Sequence, residues 1–135
     1  MSTRRADNDP QFEISFYENL LKKSPNFIEA LMCLGDLYTR QGFYEKGLRV
    51  DERLAELRPD DPTVYYNLAC SYSLMNEVAS ADRAIKRSIE LGYEDFEHMQ
   101  KDPDLLNLLS SEEFQAYFKK AREKAKSRVR KGEKV

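Results

Sequence analysis

The 135-residue chain has no tryptophan, one histidine, two cysteines, and only five glycines and five prolines. Each shortage excludes a class of protein. Cys33 and Cys70 are too few and too far apart in sequence for a disulfide scaffold or a cysteine-rich zinc site, which makes a reducing compartment the expectation. His98 stands without a serine or cysteine nucleophile at a motif spacing, so no hydrolase-type arrangement can be written around it. The scattered glycines form neither a dinucleotide-binding nor a P-loop pattern. Their scarcity, with that of proline, argues against a turn-rich all-β fold. No apolar run approaches the ~18 residues that span a bilayer, and the basic start of the chain lacks the apolar stretch of a signal peptide. The expectation is a soluble, cytoplasmic protein with no cofactor, no metal and no enzymatic activity.

What the chain does have is a helical mixture, 41% hydrophobic and 34% charged, at a length suited to one modest core. It also repeats itself. Leu34-Gly35-Asp36-Leu37-Tyr38 lies 34 positions before Leu68-Ala69-Cys70-Ser71-Tyr72, and Leu31 is offset equally from Tyr65, Gly47 from Ala81, Leu20 from Leu54, and Pro25 from Pro59.

The spacing inside each unit is helical. Leu31, Leu34, Gly35 and Tyr38 make one stripe of a helix over 26–41, which Gly42 ends. Gly47, Val50, Leu54 and Leu57 make the stripe of a second helix over 44–57, stopped ahead of Pro59. Gly35 and Gly47 lower helix propensity, and their use here is to let two antiparallel backbones come close. The second unit repeats the plan over about 61–75 and 78–91. Asp61 caps it, Pro62 sits in its first turn, and Tyr65, Leu68, Ala69 and Tyr72 face Ala81, Ile85, Ser88 and Ile89. Ahead of both, Phe12, Phe16, Tyr17, Leu20 and Leu21 spread over a wide arc of a helix at 11–23.

These residues resemble the tetratricopeptide repeat family. Leu31-x2-Leu34-Gly35-x2-Tyr38 with Gly47 and Pro59, and Tyr65-x2-Leu68-Ala69-x2-Tyr72 with Ala81 and Ile85, follow its pattern. Leu31 replaces the usual aromatic, Asp51 stands at another aromatic site, and Tyr93 replaces the final proline. The resemblance implies an all-α fold, a short right-handed α-solenoid of helix-turn-helix hairpins, and a protein-interaction function. The expected organisation is a disordered stretch at 1–10, a half-repeat helix at 11–25, repeats at 26–60 and 61–93, divergent capping helices at 94–126 and a basic flexible tail at 127–135. Within the cap, Asp102-Pro103 opens a short helix and Ser110-x-x-Glu113 is a capping box for a final one. This segment resembles the degenerate closing unit of many bacterial tetratricopeptide proteins.

Stacked hairpins of this family line a concave groove with their first helices. The positions rotated about a third of a turn from the packing stripe are Glu29, Met32, Asp36, Thr39 and Arg40 in the first unit, and Thr63, Tyr66, Cys70, Ser73 and Leu74 in the second. They suit a peptide or helix of an unidentified partner protein, unless the chain's own terminal helix fills the groove. Chaperone-tail recognition is excluded, because Met32 and Asp36 stand where that subclass has lysine and asparagine; only Asn67 matches.

Charge is unevenly placed. Residues 119–135 hold nine basic and two acidic side chains, net +7, whereas the rest of the chain is net −9. Lys119, Lys120, Arg122, Lys124, Lys126, Arg128, Arg130 and Lys131 could meet an anionic surface or nucleic acid, although no aromatic interleaves them for base stacking. The alternatives are a solvated helix end, fraying from Lys124 onward, or a clamp onto the acidic body. Phe12 and Phe16 leave self-association open through the half-repeat helix.

Overall fold

Asp9 and Pro10 open the first helix: the Asp9 carboxylate accepts from the Gln11 amide at 3.0 Å, and the proline occupies a position whose amide would have no partner. The computed structural model describes residues 9–132; the greater part of the expected disordered start, and the last three residues, lie outside that range. Among the described residues the secondary structure is helical throughout, with no strand. The chain divides into two compact units, residues 1–59 and 60–135.

The first unit contains α1 (Pro10–Lys23), α2 (Ile28–Arg40) and α3 (Tyr44–Leu57). Its core is Ile14 from α1 with Leu34, Leu37 and Tyr38 from α2, flanked by Tyr17, Leu21 and Val50. The Tyr38 hydroxyl donates to the Glu18 carboxylate and ties α2 to α1. The expected close approach of α2 and α3 is present. A Cβ on Gly35 would lie 3.1 Å from Asp51 Oδ1 and 3.2 Å from Val50 Cγ1, and one on Gly47 would lie 2.8 Å from Thr39 Oγ1. Gly35→Leu is therefore expected to destabilise this unit by about 1–3 kcal/mol through overpacking, read as a lowered urea midpoint at unchanged slope.

The second unit contains α4 (Pro62–Leu74) and α5 (Val78–Glu90), then α6 (Phe96–Lys101), a 3-10 turn (Pro103–Leu105), α7 (Leu106–Leu109) and α8 (Glu112–Arg130). Asp61 caps α4 as expected, accepting from the Thr63 amide at 2.9 Å. Ser88 of α5 donates to the Pro62 carbonyl at 2.7 Å, which holds the two helices together.

Both complete hairpins turn in the same way, 34 positions apart. The Phe43 amide donates to the Tyr38 carbonyl at 2.8 Å and the Glu77 amide to the Tyr72 carbonyl at 2.9 Å, around Gly42 and Asn76, both at positive φ. Asparagine is among the few side-chain-bearing residues that accept this left-handed backbone.

Two features differ from what the sequence suggests. Residues 96–101 form a helix with no counterpart in the repeat, capped by Asp95, which accepts from the His98 amide at 3.0 Å. The last helix also continues to Arg130, beyond the expected fraying point at Lys124. Ala125 is buried and Arg128 lies 3.9 Å from Glu94, so packing and an ion pair hold the part of the helix expected to be loose.

Candidate functional site

The two first helices, α2 and α4, carry equivalent faces, and the structure treats them differently. On α2 the predicted residues share one exposed face. Met32 is 37% exposed, Glu29 is exposed, and Asp36 and Arg40 pair across one turn at 2.9 Å with both side chains largely in solvent. Thr39 is half-buried, its hydroxyl turned toward Gly47. Cys33 is also exposed, at the edge of this face toward α1. A hydrogen bond with that thiol, followed by the thiol's charge, raises the pKa of the Tyr17 hydroxyl on α1.

On α4 the equivalents of Met32, Asp36 and Thr39 are Tyr66, Cys70 and Ser73, and all three are buried. The expectation that they line an open groove is corrected here: the chain's own residues 93–108 cover them. Tyr66 donates to Asp102 Oδ2 at 2.7 Å, and its ring stacks on Tyr93 with centroids 4.4 Å apart. The Cys70 thiol points at the same carboxylate oxygen at 3.8 Å, and His98 Nε2 stands 3.5 Å from it at the surface. Ser73 Oγ accepts from the Leu108 amide at 3.2 Å, and its carbonyl accepts from the Asn107 side chain at 2.8 Å. The cover thus comes from Tyr93, Asp102, the 3-10 turn and α7, and not from the terminal helix that the sequence offers for the role. Thr63 is exposed at the start of α4 and Leu74 half-buried at its end.

Tyr66 sits at the centre of this closure. Burial, and after it the hydrogen bond to the Asp102 carboxylate, push its hydroxyl well above the ordinary tyrosine range. The cluster of tyrosine, cysteine, histidine and aspartate therefore serves as a latch. Asp102 has a further commitment, since its Oδ1 caps the 3-10 turn through the Asp104 amide at 3.0 Å. No group of histidine, cysteine and acidic side chains among the described residues has a metal-holding arrangement.

The basic residues of α8 divide into two sets. Arg122 donates to Gln100 Oε1 at 3.2 Å and lies over the Phe118 ring, and Arg128 faces Glu94, so these two hold the helix to its own unit. Lys119, Lys120, Lys124, Lys126, Arg130 and Lys131 are exposed. Between α6 and α8 runs an open cleft of about 760 Å³ with Phe96, Ala125 and Val129 along it, acidic residues 94, 95 and 97 on one wall, and Arg122, Lys126 and Arg130 on the other. Among the described residues no helix is long and apolar enough to cross a membrane.

Comparison with solved structures identifies the arrangement. MamA from Desulfovibrio magneticus RS-1, residue 41 to its end, matches 92% of this chain and 80% of its own with a TM-score of 0.68 at 20% sequence identity. A further crystal structure of MamA matches 95% of each chain with a TM-score of 0.66 at 21% identity. The fold is a tetratricopeptide-like helical repeat. At such identities the likeness is one of fold alone. In sequence, the chain is 32% identical over 107 residues to a chloroplastic protein of Arabidopsis thaliana. That alignment takes in 76% of this chain but spans only about a third of the plant protein, 32% of its length. No protein-family profile matches the chain.

Proposed function

We propose that this chain is a non-enzymatic protein-interaction module that holds a segment of a partner protein against the exposed face of α2, through Glu29, Met32, Asp36, Thr39 and Arg40. The observation that carries the reading is the contrast between α2 and α4. The α4 face holds a short turn-and-helix segment with apolar side chains, one carboxylate and backbone amides, and this illustrates what such a face can bind. The equivalent α2 face offers Met32 for apolar contact and the Asp36–Arg40 pair for polar contact, all open to solvent. Residues 91–118 then close the second unit, in the manner of the degenerate final segments of bacterial tetratricopeptide proteins. Two cysteines without a disulfide accord with a cytoplasmic setting.

Affinity capture from the native host tests the proposal. A Met32→Glu/Arg40→Glu chain is expected to lose the specifically retained proteins by about tenfold or more, because an anion is placed at the apolar contact and the exposed cation is inverted. Retention of the same proteins at wild-type yield would remove α2 as the binding surface.

The six exposed cations on α8 and at its C-terminal cap favour a second reading, contact with a polyanion. Binding that weakens steeply with the logarithm of salt concentration, and disappears with Lys120→Glu/Lys124→Glu but not with Met32→Glu, would establish it in place of the first.

A further inference from the structure

The α1 helix stands at the place of a second repeat helix and carries a face with Phe12 and Phe16 more than half exposed. In the two complete hairpins, the positions 34 and 68 residues after Phe16 are Val50, which turns toward the preceding antiparallel helix of its own hairpin, and Ala84, which is buried. Val50 Cγ1 comes within 3.2 Å of where a Gly35 Cβ would stand, and Ala84 is 6% exposed. The equivalents of Leu20 are Leu54 and Ser88, buried at 2% and 0%. On α1 itself Phe16 is 53% exposed and Phe12 54%, whereas Ile14, on the opposite side, is buried in the core with α2. In a regular helix, Phe12, Phe16, Leu20 and Lys23 project within about 80° of one another, and Asp9, the extended residue that caps the helix, stands at the start of the row. They form one stripe, acidic at its start, aromatic in the middle and basic at its end.

That stripe is complementary to itself when reversed. In an antiparallel pairing centred on Phe16, Phe16 meets Phe16 of the partner subunit and Phe12 meets Leu20 of the partner subunit. Asp9 and Lys23 lie seven residues either side of the centre, about 10.5 Å along the axis, so Asp9 faces Lys23 of the partner subunit twice by symmetry. We infer that two copies of this chain associate through α1, each laying its helix antiparallel on the other's exposed stripe. The same acidic-to-basic order disfavours parallel pairing, which would set Asp9 against Asp9 and Lys23 against Lys23. One 14-residue helix per copy makes a contact below the standard interface size, in the class of weak and transient associations.

Sedimentation equilibrium of the full chain, across roughly 1–500 µM, is expected to show a monomer–dimer equilibrium. Phe16→Glu should weaken it by about tenfold or more without loss of helical circular dichroism, since the side chain is more than half exposed in the monomer. Asp9→Lys and Lys23→Glu should each weaken self-association, and an equimolar mixture of the two variants should dimerise more tightly than either alone, because opposite charges then face each other between unlike chains. Asp9→Lys also removes the helix cap, so a cross-linking arm stands beside it. In a Cys33→Ser background, Phe16→Cys should form an intermolecular disulfide under mild oxidation and Ser15→Cys should not. A monomer at every concentration, self-association unaffected by Phe16→Glu, or equal cross-linking from positions 15 and 16 would each overturn the inference.

Discussion

Tyr66→Ala is expected to lower the stability of the second unit by about 3–5 kcal/mol and to uncover the face of α4. The ring is 5% exposed and stacked on Tyr93, so its removal leaves a cavity; the Asp102 carboxylate, 13% exposed, loses the hydroxyl that satisfies it. Tyr66→Phe separates the two effects. It keeps the ring and removes only the hydrogen bond, with an expected loss of about 1–3 kcal/mol. The pH dependence distinguishes them further. The folded-state pKa of Tyr66 is raised above the unfolded value of about 10, so its contribution is complete below pH ~10 and is lost as pH rises beyond that. Wild-type protein should therefore lose stability above about pH 10 more steeply than Tyr66→Phe. Some alkaline slope should persist in the variant, because burial also raises the pKa of Tyr93 and Tyr117 in the same unit. Urea unfolding at about pH 7 and about pH 10.5 measures both quantities; identical slopes for the two proteins would show that Tyr66 is not the latch.

The second large effect is expected at Phe114. This side chain is fully buried at the root of α8, with Phe118 5.9 Å and Tyr117 6.1 Å away between ring centroids, and Phe118 in turn stands edge-on to Phe96 of α6 at 5.8 Å. Phe114→Ala should cost about 3–5 kcal/mol. Beyond Phe118, the contacts that hold α8 centre on Ala125, Arg122 and Arg128, and the polar ones are partly exposed and individually weak. Loss of the aromatic root should therefore release much of the helix, seen as reduced helical ellipticity and rapid amide exchange over residues 119–130. A change under about 1 kcal/mol with unaltered exchange would mean that charge pairing, and not the aromatic cluster, holds α8.

The hairpins are legible in the sequence because their determinants are local or recur. Leu34, Gly35, Leu54, Ala69, Ala81 and Ile85 each fall on a stripe, and Asp61 and Pro62 mark the helix start they are found at. The capping box read at Ser110 falls one residue early: Ser111 accepts from the Phe114 amide and caps α8, while the Ser110 hydroxyl donates to the Leu106 carbonyl. The fate of Tyr66, Cys70 and Ser73 is not legible. Small and polar side chains at groove spacing read as solvent-facing, and what buries them comes from 32 to 36 positions further along through hydrogen bonds that carry no periodic signal. The six-residue α6 escapes the pattern for a related reason: one turn and a half is too short for a hydrophobic stripe to register. The continuation of α8 is underestimated because a run of lysine and arginine suggests self-repulsion. Those residues are good helix formers, and Glu94 supplies an opposite charge from outside the helix.

The contrast between the two first helices can be read from the native thiols, since Cys33 lies on the exposed α2 face and Cys70 beneath the segment that covers α4. Timed labelling of the folded protein with a thiol-reactive chromophore should show one thiol per chain reacting at once and the second only as the protein unfolds, with Tyr66→Ala bringing the second into the fast phase. Two thiols reacting together in the wild-type fold, or Cys70 ahead of Cys33, would contradict the assignment of an open face to α2 and a closed one to α4.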